Sequence, residues 1–146
     1  MILKKDTNKL LEELGLCPDF HDFYADNQDS MIQATLSDLL NQYIHSKHLR
    51  KADIVKCSEI SEVYCYQILS GKPIPERKKL LCIAIGMQLN LEETQTLLRS
   101  TGYSLLYARK PFDCIVIYGI YNQLSVMQIN QLLYKYELPT LGWSAH

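Results

Sequence analysis

Residues 61–70 carry side chains of the types that can bind DNA bases. Gln67 has an amide that both donates and accepts, which matches the N6 and N7 edge of adenine. Val63 could contact the methyl group of thymine, and Glu62 could accept a hydrogen bond from N4 of cytosine. A carboxylate is, however, repelled by the phosphate backbone. This stretch therefore offers chemistry for reading bases but contains no Lys or Arg.

Two tyrosines in the same stretch admit two interpretations. Tyr64 and Tyr66 could stack on sugars or donate hydrogen bonds to phosphates. Aromatic residues at this spacing also often belong to a hydrophobic core. We expect one of the two to lean inward.

Positively charged residues surround this stretch and could bind phosphates. Residues 47–79 hold eight Lys or Arg against four Asp or Glu, an excess of four, although the whole chain has a net charge of −1. The candidate phosphate-binding residues are Lys51, Ser61, Lys72, Arg77, Lys78 and Lys79, with Lys47 and Arg50 at the other edge. Such contacts would supply salt-sensitive affinity without sequence information. The alternative is an ordinary solvated charged surface.

The segment Leu49–Pro75 has the layout of a helix-turn-helix, a unit whose second helix lies in the DNA major groove. We predict a first short helix over about Lys51–Cys57 and a second over Ser61–Ser70. Ser61 is a good N-cap for the second helix. Gly71 suits the left-handed conformation in which many helices end.

Composition and periodicity predict an all-α protein, because Gly and Pro are few (6 and 5) and no alternating strand pattern persists. The first predicted elements are a helix over Asp6–Leu14 and a partly ordered, acidic and aromatic arm over Asp19–Ser30 that packs on the domain. The other predicted helices are Thr35–Ser46, Glu76–Met87, Leu91–Ser100 and Phe112–Asn122. These elements divide the chain into three predicted regions. The regions are an N-terminal helix and arm (1–34), a five-helix helix-turn-helix domain (35–103), and a C-terminal helical hairpin with a tail (104–146).

The C-terminal region repeats the pattern of the helices before it. The segment from Leu89 aligns with the segment from Leu124 at a fixed offset of 35 residues. Asn90 and Ser125 are predicted to be helix N-caps, each forming a capping box with the residue three positions later, Glu93 and Gln128 respectively. Two helical hairpins stacked in series explain this repeat.

The second hairpin is a candidate dimer surface, or it caps the core of a monomer. One helix-turn-helix reads only a few base pairs, so most such proteins bind as dimers. The apolar residues available for this purpose are Ile115, Ile117, Tyr118, Tyr121, Ile129 and Leu132. Trp143, the only tryptophan, is expected to pack on the protein or at an interface.

The cysteines and histidines give no sign of a disulfide framework or a metal site. The five cysteines are odd in number and lack C-x-x-C spacing, which favours a reducing cytoplasm. Cys82 and Cys114 lie in apolar runs and are expected to be buried. His45 and His48 have a spacing that could bind metal, but no third ligand lies near them, so they are expected to be surface residues.

Membrane insertion and catalysis are both disfavoured. No signal peptide is visible, and the uncharged stretch Cys114–Tyr134 contains too many amides for a membrane span. There is no Gly-rich phosphate loop and no acid/base pair, so neither an enzyme nor a cofactor is predicted. No sequence feature identifies a ligand pocket.

The region Leu36–Ser100 resembles the Cro/phage-repressor (XRE) class of helix-turn-helix domains. The residues that carry the resemblance are Leu49, Ile54, Val55, Ile60, Ser61, Cys65, Ile68, Gly71, Lys72 and Pro75, followed by the Gly-Met-x-Leu-x-Leu-Glu-Glu string of residues 86–93. The longer span Leu36–Gly142 also looks like a group of bacterial XRE-type regulators. Glu59 replaces the glycine common in the turn, and Glu62 stands where many relatives carry a basic or small polar residue.

The resemblance implies a sequence-specific transcriptional regulator that binds double-stranded DNA as a homodimer. It also implies that the second helix projects these residues toward the groove: Glu62, Val63, Tyr64, Tyr66 and Gln67. The alternative is a protein-interaction module on the same fold, antitoxin-like or inhibitory, with its partner at the N-terminal arm or the C-terminal hairpin. Glu62, the acidic arm and the near-neutral charge favour that alternative.

Overall fold

The described parts of the chain are mainly helical. The computed structural model describes residues 6–28 and 35–142, and within these ranges it contains nine α-helices and no strand, which confirms the predicted all-α class. The chain divides into two compact units, one ending at Ala34 and one beginning at Thr35.

In its described residues, 6–28, the first unit contains two short helices, α1 (Thr7–Leu16) and α2 (Phe20–Asp26). The aromatic segment therefore forms a helix where a partly ordered arm was expected, and residues 29 and 30 of that arm lie outside the described residues. The reason is local, because Asp19 accepts a hydrogen bond from the His21 N–H at 3.0 Å and so caps the helix. Phe23 is buried, while the rings of Phe20 and Tyr24 stack at 5.8 Å. Packing of these aromatics on the rest of the protein stays a prediction.

The second unit is built around one central helix. Its helices are α3 (Leu36–Ser46), α4 (Lys51–Ser58), α5 (Glu62–Leu69), α6 (Arg77–Gly86), α7 (Leu91–Ser100), α8 (Pro111–Tyr121) and α9 (Val126–Lys135). Six consecutive residues of α6, from Leu80 to Ile85, are buried, because α4, α7 and α9 all pack against this helix. A helix that is apolar on all sides needs such enclosure. The α8–α9 hairpin belongs to the same compact unit.

Three predicted helix starts are confirmed by capping boxes. Reciprocal capping boxes begin α3, α7 and α9, formed by Thr35 with Asp38, Asn90 with Glu93, and Ser125 with Gln128. Each N-cap of this kind stabilises a helix by about 1 kcal/mol. The last two boxes are 35 residues apart, so the internal repeat reproduces the same local geometry twice.

Left-handed residues follow the helix ends in this unit. Gly71 occupies this conformation after α5, as the sequence predicted, and Gly102 does so after α7. The other five positions are taken by non-glycine residues with φ between 54° and 59°, namely His48, Glu59, Gln88, Gln123 and Glu137. A side chain in this region costs about 1–2 kcal/mol relative to a right-handed residue.

The uncharged stretch 114–134 forms parts of α8 and α9 with a turn between them, as predicted. No helix in the described ranges is both long enough and apolar enough to cross a membrane.

Helices α4 and α6 approach each other through backbone at Gly86. A Cβ atom placed there would lie 2.8 Å from the backbone N and 3.0 Å from the Cα of Ser58, and would also overlap its Oγ. Within the described residues, this buried Oγ has no hydrogen-bond partner.

The substitution Gly86→Ala is expected to lower the free energy of unfolding by about 2–3 kcal/mol, because the backbone of α4 must move to admit a methyl group. Urea denaturation followed by circular dichroism measures this loss. The control Ser58→Ala should be neutral or stabilising, since it removes an unpaired buried hydroxyl. If Ser58→Ala restored the full stability of Gly86→Ala, the added methyl group would clash only with the Ser58 hydroxyl. The expected clash with the α4 backbone would then be wrong.

The cysteines divide into two environments, and one prediction about them is wrong. Cys82 is buried as expected, and so is Cys65, but Cys114 is exposed. In α8 the buried positions are Asp113, Val116 and Gly119, which recur every three residues, so Cys114 lies on the opposite side of the helix.

A thiol reagent at pH 8 is expected to modify the exposed Cys57 and Cys114 rapidly in the native protein, the partly buried Cys17 more slowly, and Cys65 and Cys82 only on unfolding. Burial raises the pKa of Cys65 and Cys82 to about 11, so neither forms the reactive thiolate at that pH. Mass spectrometry of the labelled protein identifies the modified sites. Fast labelling of Cys65 or Cys82 in native buffer would contradict the packing around α6.

Candidate nucleic-acid interface

The outward face of α5 carries the side chains predicted to read bases. Glu62, Val63, Tyr66 and Gln67 are all exposed, with 69% of Val63 and 40% of Tyr66 accessible. Residues at spacings of three and four lie on one side of a helix, so these four share a face. The opposite face is buried through Cys65, Ile68 and Leu69, as predicted.

The two tyrosines of α5 separate as expected. Tyr64 is half-buried and packs against the hydrophobic core, whereas Tyr66 lies on the outward face. Burial raises the pKa of the Tyr64 hydroxyl, and the nearby Glu76 carboxylate raises it further. We therefore assign Tyr64 to the core and keep Tyr66 as a surface contact.

One lysine joins this face. Lys51, the first residue of α4, lines a shallow depression together with Glu62, Val63, Tyr66, Gln67 and Ser70. Ser61 is exposed at the N-terminus of α5, where its Oγ accepts a hydrogen bond from the Tyr64 N–H at 3.2 Å. Lys72 is exposed just beyond the other end of α5. The depression itself thus holds one ammonium group, that of Lys51, and one carboxylate, that of Glu62.

The turn between α4 and α5 contains the residue that the sequence singled out. Glu59 has φ 56° and ψ 34°, which is the left-handed conformation that glycine adopts at low cost. The backbone here is thus compatible with the tight turn expected between two such helices, although the side chain is not the usual one.

Arg77 does not belong to the phosphate-binding set. Its guanidinium forms a bidentate ion pair with Asp113, with Nη1–Oδ1 and Nη2–Oδ2 distances of 3.2 Å. It also donates to the carbonyl oxygens of Ser104 at 3.0 Å and Leu105 at 3.3 Å. Only 21% of the Arg77 side chain and 3% of the Asp113 side chain are exposed. The expected DNA contact is therefore replaced by a link between α6, the segment before α8, and α8 itself.

Asp113 was missed by reasoning from the sequence. A signal was present, because this is the one charged residue in the apolar helix α8. A lone carboxylate in such a helix is expected to have a cationic partner when it is buried.

Lys78 and Lys79 are half-buried beside the C-terminal part of the unit. Lys78 Nζ lies 5.6 Å from the ring centroid of Phe112 in α8, and Lys79 Nζ lies near Gly142. Neither lysine lines the depression on α5. They stay candidates for phosphate contact, but the structure does not gather them with Lys51.

The basic residues expected at the other edge are both in ion pairs. Lys47 Nζ lies 3.1 Å from Glu93 Oε1, and Arg50 Nε lies 3.1 Å from Asp53 Oδ2. The excess of positive charge in the sequence is thus partly neutralised in the fold. Fewer basic side chains therefore stay available beside the outward face of α5, and Lys51 is the one at its edge.

The apolar residues proposed for a dimer surface are not all accessible. Ile129 is fully buried, and Ile115, Ile117 and Leu132 are half-buried. Hence most of this set completes the core of its own unit. Tyr118 and Tyr121, 54% and 70% exposed, are the members left for a partner. Trp143 lies outside the described residues.

His45 and His48 are exposed at the end of α3. In residues 6–28 and 35–142, no three His, Cys, Asp or Glu side chains gather in a way that could hold a metal ion.

Comparisons of the chain with protein-family models, with curated proteins and with solved structures found no match.

Proposed function

We propose that this protein is a sequence-specific DNA-binding transcriptional regulator that places the outward face of α5 in the major groove. The observation that carries the proposal is one exposed helical face bearing Gln67, Glu62 and Val63, with Lys51 at its edge. The major groove admits an α-helix, and base edges there present distinct hydrogen-bonding patterns. A face with few charges is suited to reading bases more than to binding phosphates.

Affinity would come from a small number of phosphate contacts. Lys51 and Lys72 supply two exposed cations per copy, and the N–H groups at the N-terminus of α5, beside Ser61, suit a phosphate oxygen. With two cations per copy and two copies bound, the plot of log Kobs against log salt should have a slope of about −4. A single copy would give a slope of only about −2, so a dimer on paired half-sites is part of the proposal.

A cytoplasmic location and a non-catalytic role complete the proposal. The cysteines that the structure describes are all free thiols, as a reducing compartment would leave them.

Selection of bound duplexes from a random pool at about physiological salt is expected to enrich a palindromic motif. The variant Gln67→Ala should then lose preference at one position per half-site, by about 5- to 150-fold in affinity for the preferred base, because a bidentate amide contact is lost. Sequencing of the enriched pools measures both results.

The matched control is Gln131→Ala, an exposed glutamine on α9, which should leave the motif unchanged. If the native protein enriches no motif, the regulator proposal is wrong. If it enriches one that Gln67→Ala leaves intact, α5 is not the reading helix.

A protein-interaction module is the second candidate, and one observation favours it. The exposed face of α5 holds Val63 and Tyr66 around a shallow depression, with Glu62 as its only charged residue from α5. Such a face also fits an apolar partner surface. This candidate predicts no salt-dependent DNA binding, so a slope near zero would favour it.

A further inference from the structure

Helix α8 exposes a line of uncharged side chains, which we call the α8 ridge. It consists of Cys114, Tyr118 and Tyr121, all exposed. They follow one another at spacings of four and three residues, so they lie on one side of the helix. Hydrophobic residues at this alternating spacing are typical of a seam against which another helix packs.

Helix α8 is the counterpart of α6 in the internal repeat. The offset of 35 residues places α6 on α8, and the correspondence extends to the backbone at their ends. After α6 the Leu89 N–H donates to Ala84 O at 3.0 Å, and after α8 the Leu124 N–H donates to Gly119 O at 2.9 Å. Equivalent positions of the two helices can therefore be compared.

The side of α6 that corresponds to the α8 ridge is covered by a helix. Tyr118 and Tyr121 correspond to Ile83 and Gly86. Ile83 is fully buried, and a Cβ atom at Gly86 would overlap Ser58 of α4. Among the described helices, α6 packs against α4, α7 and α9, whereas α8 packs chiefly against α7 and α9. The ridge is thus the side of α8 on which a further helix fits.

A second copy of α8 fits this side without electrostatic repulsion. Residues 114–134 contain no charged residue, although charged residues make up 21% of the chain. In a two-fold symmetric dimer the same patch meets itself, so any charge on it would face a like charge. The centres of protein interfaces are also depleted of charge and enriched in tyrosine, as this ridge is.

The sizes of the ridge residues favour an antiparallel pair of helices. With the two-fold axis near Tyr118, the small Cys114 of one copy would lie against the large Tyr121 of the second copy. A parallel pair would place tyrosine on tyrosine at one end and cysteine on cysteine at the other, which would leave a gap. The antiparallel arrangement also brings helix ends of opposite partial charge together.

The area of the ridge is suited to reversible association. Tyr118 and Tyr121 are 54% and 70% exposed. Because a tyrosine side chain presents about 150–250 Å² of surface, the two offer about 250 Å² per copy. Stable dimers bury roughly 1,200 Å² or more in total, so this contact would exchange with monomers in solution. Two copies held on neighbouring half-sites would associate more readily, because their effective concentration is higher.

We propose that the α8 ridge is the homodimerisation site of this protein, with the α8 helices of two copies packed antiparallel across a two-fold axis near Tyr118. Its role rests on the proposed function, because paired half-sites require two copies. The contact itself does not involve DNA, so the protein alone provides the first test.

Sedimentation velocity of the full-length protein, from about 10 µM to about 1 mM, should show a monomer–dimer equilibrium. Tyr118→Glu should weaken it at least about tenfold, because a central tyrosine is lost and two carboxylates meet near the axis. The control Tyr136→Glu makes the same change at a tyrosine of similar exposure, 62%, after the end of α9, and should leave association unchanged. A native protein that stays monomeric, or equal weakening by both variants, would overturn the proposal.

The antiparallel arrangement is tested by a charge pair. Tyr121→Glu should weaken association, and adding Cys114→Lys to it should recover at least about fivefold in affinity. The reason is that each new carboxylate would lie against the new ammonium group of the second copy. In a parallel pair like charges would meet at both positions, so a double variant that associates no better than Tyr121→Glu would contradict the antiparallel geometry. Circular dichroism checks that both variants fold.

DNA binding separates this proposal from the proposed function. On a duplex with one half-site, Tyr118→Glu should bind as tightly as the native protein. On the palindrome it should bind at least about tenfold more weakly, because the second copy gains no contact with the first. Equal binding of the palindrome by both proteins would overturn the role of the ridge. If the native protein dimerises through the ridge but binds no DNA, the regulator proposal is wrong and the dimer contact stands.

Discussion

Replacing Asp113 with alanine is expected to lower the free energy of unfolding by about 3–5 kcal/mol, since breaking a buried ion pair leaves an uncompensated charge. The Asp113 side chain is 3% exposed and accepts two bonds from Arg77 and one from the Tyr107 N–H at 3.0 Å. Its loss would strand the Arg77 guanidinium in a site that excludes most water. Chemical denaturation followed by far-UV circular dichroism measures the change.

The chain offers a matched control for this pair. Asp53 also pairs with an arginine, Arg50, but the two side chains are 60% and 79% exposed. Asp53→Ala should therefore cost less than about 1 kcal/mol. If Asp113→Ala and Asp53→Ala lowered the free energy of unfolding equally, burial would add nothing to the stabilisation by the Arg77–Asp113 pair. A double-mutant cycle with Arg77→Ala gives the coupling energy directly.

The Arg77–Asp113 pair also shows why one residue could be assigned wrongly from sequence. Arg77 lies in a basic run with Lys78 and Lys79, and such a run reads as a phosphate clamp when only neighbours in sequence are considered. Its partner is 36 residues away and becomes visible only when α8 packs beside the start of α6. Local composition cannot reveal contacts made by the fold.

Helix boundaries, in contrast, could be predicted because their causes are local. Asn90 and Ser125 cap their helices with bonds to residues three positions later, and both boxes were evident from residue type and spacing. Gly71 ends α5 for an equally local reason. The prediction that Cys114 is buried was wrong for a different reason. A run that is apolar throughout does not tell which side of the helix faces the core, and α9 settles that.

The candidate site was predictable in part. The exposed residues Glu62, Val63 and Gln67 follow from the phase of α5, which the buried positions Cys65 and Ile68 set. A groove where the ends of α4 and α6 meet the turn between α8 and α9 could not be anticipated, because these three places are far apart in sequence. Periodicity identifies faces of single helices, whereas cavities depend on how several helices pack.

The proposed DNA-binding surface is tested most severely by charge reversal. The double variant Lys51→Glu/Lys72→Glu is expected to weaken DNA binding more than about 100-fold, because each charge-assisted phosphate contact contributes about 1.5–3 kcal/mol and each new carboxylate repels the backbone. Binding should weaken for all sequences alike, since phosphate contacts carry no base information. Both lysines are exposed, so folding should be unchanged within about 0.5 kcal/mol. Fluorescence anisotropy over a range of salt concentrations measures the affinity and its salt slope.

The matched control for this reversal is Arg109→Glu/Lys110→Glu, which makes the same change in net charge at two exposed residues before α8. Each pair takes the net charge from −1 to −5, since two cations become two anions. The proposal requires that the control retain most of its affinity, because a contact at α5 depends on where the charges lie. Equal losses would mean that DNA responds to the overall charge of the protein, and no loss in either would place any DNA contact away from α5.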